Sequence, residues 1–378
     1  MDADRVGVPS AAARTSRIAV SIATTRRPDG LASRARDRAA VLRQRKRASY
    51  DDGRRTLRVF GMVNHVAHQY EMLKLAEHRP VSFTYIVGAR RWKQRVRPMP
   101  RHLSWVTRYE PGSYDVAILH LDQRAAHPGT ASYRAYRRVR SMVGDLPRIT
   151  INHGTPMLSE PGCQLPEEVV ASRIKSLVGD DLMVVNSRQA VSRWGWGHPV
   201  IHGMAPEEWP VLPKAPLVVT QVDRGMARYH GIALLDAVTS ELRRRGIEVI
   251  NIGHDIVPRT WKDQRQILGS ALIYLNTTLD SPMPRGRTEA MLSGCCVITT
   301  PFHDADQYIQ NGVNGYLLRD DPARWGALVE DLLTRRFDDA ARIGLRARET
   351  ACREFHNRRY LNDLWQILMA TAGASWSI

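Results

Sequence analysis

The chain has 378 residues, 43% of them hydrophobic, and a formal net charge of +17 at pH 7; it is too long for one ordinary core and apolar enough to fill two. No apolar run approaches the roughly 18 residues of a membrane span, and the stretch 18–25 is too short and too polar for a secretory signal. Cys163, Cys295, Cys296 and Cys352 form no CxxC pair, so a soluble protein of the reducing cytoplasm is expected, with the adjacent pair read as buried small hydrophobes.

Residues 1–55 hold fourteen Lys and Arg against six Asp, so +8 of the excess belongs to this one segment. Residues 1–53 read as a basic disordered tail, with contact to nucleic acid or an anionic membrane surface as the functional alternative. The other +9 is spread over the body, as suits handling of phosphorylated molecules.

From Leu57 the chain alternates strand and helix. Strands are predicted at 57–63, 81–87, 103–106 and 115–119, with a helix through Tyr70, Leu73 and Leu75 after the loop Asn64-His65-Val66-Ala67-His68. The Pro-broken basic segment 90–101 reads as an exposed loop or an anion- or acceptor-facing surface. A helix over 133–143 leads to a strand at 148–152 that ends on His153-Gly154, and a helix at 167–177 precedes the strand 182–185. Four prolines between Met204 and Pro216 mark an interdomain linker, dividing a domain over 54–203 from one over 217–355.

The second alternation predicts strands at 217–221, 248–252, 271–275 and 295–299, and helices at 232–245, 261–268, 288–294 and 304–311. The segment 356–378 is expected to fold as a helix packing back on the first domain. Parallel sheets wound by right-handed crossovers follow from this spacing, and two in tandem place strand carboxyl ends around a shared cleft. In the stretch 276–301 a Pro- and Gly-broken loop with Arg285 and Arg287 enters a helix near Thr288. A helix amino terminus beside two arginines is suited to a phosphate, and Glu289 in its first turn is placed to accept hydrogen bonds from hydroxyls.

Several blocks in order resemble one family. TEAMLSGCCVITTPFHDADQYIQNGVNGYLL resembles the EAMA-G-P-V-I block and N-G-hydrophobic signature of glycosyltransferase family 4, VVNSRQAVSRWG its "NS" strand, and VIHGMAPEEWP its H-G-V-D junction between domains. The resemblance covers residues 56–371 and implies a GT-B fold, α/β with two Rossmann-like domains, and transfer of a sugar from a nucleotide diphosphosugar with retention of configuration. It implies that Glu289 holds the donor ribose, that Arg224 contacts the diphosphate and that His153 lies near the reacting sugar. Arg228, His230, Gly253, Ser281, Arg285 and Gly286 complete the expected donor site; Asn64, His65 and His68 face the acceptor. The chain departs from the family in two places. Ser281 stands where the first motif glutamate is expected, leaving Asp280 as the carboxylate for the sugar, and Tyr229 and His230 replace the expected lysine, whose charge Arg228 or Arg285 supplies.

No DxD-type acidic cluster follows a strand, so a metal-independent reaction without cofactor is expected. The acceptor and the donor's base and sugar are not encoded in any recognisable chemistry. Rival readings are an epimerase or phosphorylase on the same fold, a non-catalytic nucleotide-sugar binder, and a nucleic-acid protein acting through residues 1–53.

Overall fold

A computed structural model describes residues 56–373 apart from 89, 145, 161, 162 and 282. The tail over 1–53 lies outside the described residues. The first domain is a seven-stranded sheet in the order β3-β2-β1-β4-β5-β8-β9, built from β1 Leu57–Gly61, β2 Val81–Ile86, β3 Leu103–Val106, β4 Val116–Leu121, β5 Arg148–Asn152, β8 Leu182–Val185 and β9 His198–Pro199. Every pairing in it is parallel. β4 is buried along its whole length, which a central parallel strand covered on both faces requires. The helices α1 Val66–Leu73, α2 Ala131–Met142, α3 Glu167–Val178 and α4 Arg188–Trp194 connect it.

The second domain is a five-stranded parallel sheet, β11-β10-β12-β13-β14, with β10 Ala215–Thr220, β11 Val249–Asn251, β12 Ala271–Asn276, β13 Cys296–Thr299 and β14 Tyr316–Leu317. Its helices are α5 Ile232–Arg244, α6 Trp261–Ser270, α7 Arg285–Leu292, α8 Ala305–Tyr308, α9 Pro322–Thr334 and α10 Phe337–Glu354. This is the α/β architecture of two parallel-sheet domains that the alternation leads one to expect. Cys295 and Cys296 are unpaired and buried in this domain.

The chain passes between the domains at two adjacent points. Met204 N–H donates to Phe355 O at 2.8 Å, and Asn357 N–H donates to Met204 O at 3.0 Å. A Cβ on Gly203 would lie 2.7 Å from Asn357 Cα, so only glycine permits the two strands of chain to touch. After the second crossing, α11 Asn357–Thr371 lays Leu361, Leu364 and Leu368 into the core cluster that contains Leu57, Val59 and Val63 of the first domain. The three- and four-residue spacing makes that face apolar, and each buried leucine contributes about 2 kcal/mol. Among the described residues no helix is long and apolar enough to cross a membrane.

Several local expectations are corrected. α7 begins at Arg285, three residues before the predicted start, because Pro284 is its N-cap and a proline keeps the residue before it out of the helical region. Glu289 therefore sits in the second turn, not the first. α8 ends at Tyr308 instead of Asn311: Ile309 is extended, and the Asn314 side chain accepts from Gln310 N–H at 2.7 Å and donates to Tyr308 O at 2.8 Å, which holds a turn there. β10 begins at Ala215, inside the predicted linker. An antiparallel hairpin of β6 Leu158–Glu160 and β7 Cys163–Leu165, which no periodicity announced, stands after β5. The basic segment 90–101 forms no helix, yet Trp92 and Arg97 in it are buried.

Replacing Gly203 by alanine should push the two crossing segments apart and lower stability by about 1–3 kcal/mol. Thermal unfolding measures this, and an unchanged midpoint would contradict the close approach.

Candidate functional site

The carboxyl ends of the two sheets meet across a cleft, and the loop after β12 is its centre. This loop is fixed from within its own domain. Leu279 and Asp280 N–H both donate to Tyr229 O, at 3.0 and 3.2 Å, Thr277 Oγ1 donates to His230 O at 2.9 Å, and Thr300 Oγ1 donates to Thr278 O at 2.9 Å. From the first domain, Thr155 Oγ1 after β5 donates to Asp280 O at 2.8 Å. The Asp280 carboxylate is buried, 4.0 Å from Arg193 of α4 and 3.9 Å from His303. Burial raises its pKa to about 6, outweighing the opposing pull of Arg193. His303 is the only non-glycine residue with positive φ among those described, at 56°, and its Nε2 is held 2.5 Å from Leu279 O.

Ser281 lies beside Tyr229, whose pKa is pushed up to about 12, chiefly by burial, with the Ser281 hydroxyl opposing. His230 Nδ1 is 3.2 Å from Thr278 Oγ1, and burial lowers its pKa to about 4. Arg228 is exposed and lines a cavity of about 370 Å³ together with Met157, Leu158, Leu165 and Glu167 of the first domain. Asp280, Ser281, Arg228 and His230 thus form one constellation at the cleft.

A second constellation surrounds Glu289. Its Oε1 accepts from Arg285 Nε at 2.7 Å and its Oε2 from Gln264 Nε2 at 3.2 Å. Arg97 of the first domain also donates to Oε1. The Arg97 guanidinium is packed against two indoles, 5.4 Å from the Trp209 ring centroid and 5.0 Å from that of Trp261, a cation–π arrangement. Gly286 is required here by packing: a Cβ would come within 2.4 Å of Tyr274 Oη.

The third group is histidine. His153 Nε2 is 3.0 Å from His120 Nδ1, with the rings stacked at 5.2 Å. His65 and His68 lie 5.2 and 4.7 Å from His153, and His202 lies 3.9 Å from His68. His65 also caps α1, its Nδ1 accepting from His68 N–H at 3.4 Å, while Asn64 Oδ1 accepts from Arg90 at 2.6 Å. Desolvation, reinforced in His65 and His202 by the Arg285 charge, keeps these rings neutral; His65 and His120 fall to about 3. Among the described residues no three His, Cys, Asp or Glu are arranged to hold a metal ion.

Two predicted residues stand apart from these groups. Arg224 Nη2 donates to both carboxylate oxygens of Asp236 on α5, at 2.8 and 2.9 Å, and Arg224 is not joined to Glu289 or Asp280. Gly253 takes φ 97° in the turn after β11, with open space where a Cβ would be. The sequence reading missed Arg97, Arg193, His120 and His202. His120 lies inside a continuously apolar strand and Arg97 inside a run of arginines, so neither had a local signal; His202 had one, in the junction block, and was given no role.

Residues 215–335 match the family model described as Glycosyl transferases group 1. The matched residues lie in the second domain, from β10 through α9. No curated protein matches the sequence. Among solved structures the chain is similar to the Anabaena protein HepE in complex with UDP and glucose, at 13% identity and TM-score 0.59, covering 83% of this chain and 100% of that one. It is equally similar to sucrose-phosphate synthase from Thermosynechococcus elongatus, at 13% identity and TM-score 0.59, with 85% and 100% covered. A glycosyltransferase from Rickettsia africae is similar at 12% identity and TM-score 0.58, with 85% and 100% covered. At these identities the likeness establishes the fold, which is GT-B.

Buried His120 makes stability of this fold depend on pH. Its folded value of about 3 stands against an unfolded value near 6.5, so the unfolded chain binds more protons between the two. Its neutral burial should leave stability complete above about pH 6.5 and erode it as the pH falls toward 3. Urea unfolding should show this slope, and His120→Gln should flatten it; equal slopes in the two proteins would refute the assignment.

Proposed function

We infer that the protein transfers a sugar from a nucleoside diphosphate sugar to an acceptor, as a retaining, metal-independent enzyme of glycosyltransferase family 4. The observation that carries this reading is the Asp280 loop. Its buried carboxylate lies where the carboxyl ends of two parallel sheets meet, the usual position for a nucleotide ligand in such folds, and it belongs to a segment that matches the group 1 family. UDP is the first donor nucleotide to try, because HepE, of like fold, was crystallised with UDP-glucose.

In this reading Glu289 accepts hydrogen bonds from the ribose hydroxyls, and Arg285 and the peptides around Gly286 border the diphosphate. Arg228 supplies the second cation, with Arg224 in reserve on the same loop. Asp280 and Ser281 hold sugar hydroxyls, His153 lies beside the reacting sugar, and Asn64, His65 and His68 face the acceptor. Fixed cations aimed at the leaving diphosphate stabilise the negative charge that grows on it, which is the service a metal renders elsewhere. The diphosphate oxygen then accepts the acceptor's proton as the new bond forms on the face it leaves. Two lobes in contact at Thr155 and Asp280 keep water from competing with the acceptor.

Asp280 serves as a hydrogen-bond acceptor in its ionised form, so with its pKa near 6 activity should rise through that pH and level above it. Asp280→Asn should remove this limb, and Arg228→Ala should lower the rate by roughly a hundredfold. Incubation with UDP-, GDP- and ADP-sugars, with product configuration read by NMR, tests the whole reading. Retained configuration and indifference to EDTA are expected. If none of these donors is transferred or hydrolysed, the reading fails.

A further inference from the structure

Glu289 is occupied. Arg285 and Gln264 are its partners from the second domain, but Arg97 reaches it from the first, 192 residues away in sequence, and is only 1% exposed. We propose that Arg97 is a displaceable latch, which closes the two lobes by holding the carboxylate that the donor's ribose must take. The proposal rests on Glu289 being the ribose contact, and it makes donor binding a competition: ribose hydroxyls replace the Arg97 guanidinium on Glu289.

Three observations make the latch releasable. Removal of Arg97 leaves the buried Glu289 carboxylate compensated, because Arg285 sits one helical turn before it at 2.7 Å and Gln264 keeps its bond at 3.2 Å. A buried charge stripped of its sole partner would oppose release strongly; one that keeps a guanidinium and an amide does not. Arg97 itself is incompletely satisfied: Nη1 donates to Val96 O at 2.6 Å, while Nε is buried without a partner. Finally, the segment that carries it belongs to no helix or strand. Trp92 Nε1 donates to Arg97 O at 2.9 Å, and Arg90 reaches Asn64 at 2.6 Å, while Arg91, Lys93 and Arg95 between them are exposed.

The Arg90 contact gives release a direction. Asn64 belongs to the loop that faces the acceptor in the proposed reaction, so one segment touches the donor carboxylate and the acceptor loop together. Displacement of Arg97 by a donor loosens Arg90 from Asn64, and the acceptor side opens only after the donor is seated.

The test compares wild type with Arg97→Gln, using UDP, GDP, ADP and pyrophosphate as probes in calorimetric titrations. Arg97→Gln should bind at least one nucleoside diphosphate about fivefold or more tightly than wild type, with pyrophosphate, which has no ribose, bound alike by both. In parallel, hydrogen exchange of segment 90–101 in the wild-type protein should quicken on adding the nucleotide that binds, a readout that stands if the variant does not fold. Equal nucleotide affinities in the two proteins, an equal gain for pyrophosphate, or unchanged or slower exchange would overturn the latch while leaving the donor reading in place. Binding of no nucleoside diphosphate by either protein would overturn both.

Discussion

The constraint on which the cleft depends is the burial of the Glu289 carboxylate. A charge removed from water must be compensated where it lies, and here the compensation comes from three directions: Arg285 on its own helix, Gln264 on the neighbouring helix, and Arg97 from the other domain. The last of these makes an electrostatic requirement into a positional one. The lobes meet with their strand ends facing because the second domain's buried acid is partly neutralised by the first domain's buried base. Trp209 from the linker and Trp261 from α6 complete the fit by covering the Arg97 guanidinium, which screens the pair from water and strengthens it.

Around that pair the cleft divides its chemistry by polarity. One side is charged, with Asp280, Arg193, Arg228 and Glu289 drawn from both domains. The adjoining wall holds five imidazoles, His65, His68, His120, His153 and His202, with His202 Nε2 3.3 Å from the Arg285 guanidinium that binds Glu289, and desolvation disfavours their protonation. Hydroxyl groups of a sugar suit such a wall, since each imidazole offers one donor and one acceptor without a net charge. The chain crosses between the lobes twice, at Gly203 and Asn357, and α11 returns to the first domain, so both connections lie side by side.

The alternation of strands and helices was legible along the chain because buried parallel strands are short continuous apolar runs and the helices between them carry a period of 3.6 residues. β4, β5, β8 and β12 fall within a residue or two of their predicted ends for that reason. Boundaries set by side-chain hydrogen bonds were not legible in this way. The end of α8 depends on Asn314 turning back to the chain, and the early start of α7 on Pro284 serving as cap. The β6–β7 hairpin is too short to show a period.

Sequence by itself determined the architecture, since that follows from local pattern, and motif spacing offered Asp280, Arg285 and Glu289 as candidates in and just before the block from Thr288 to Leu318. Tertiary structure alone decided which of these residues meet. It placed Arg224 on Asp236, brought Thr155 and Arg193 to the Asp280 loop, and set Arg97 on Glu289. Those pairings join residues as many as 192 positions apart, and a contact between separately folded lobes is fixed by where their surfaces come together, for which no local run of residues carries a signal.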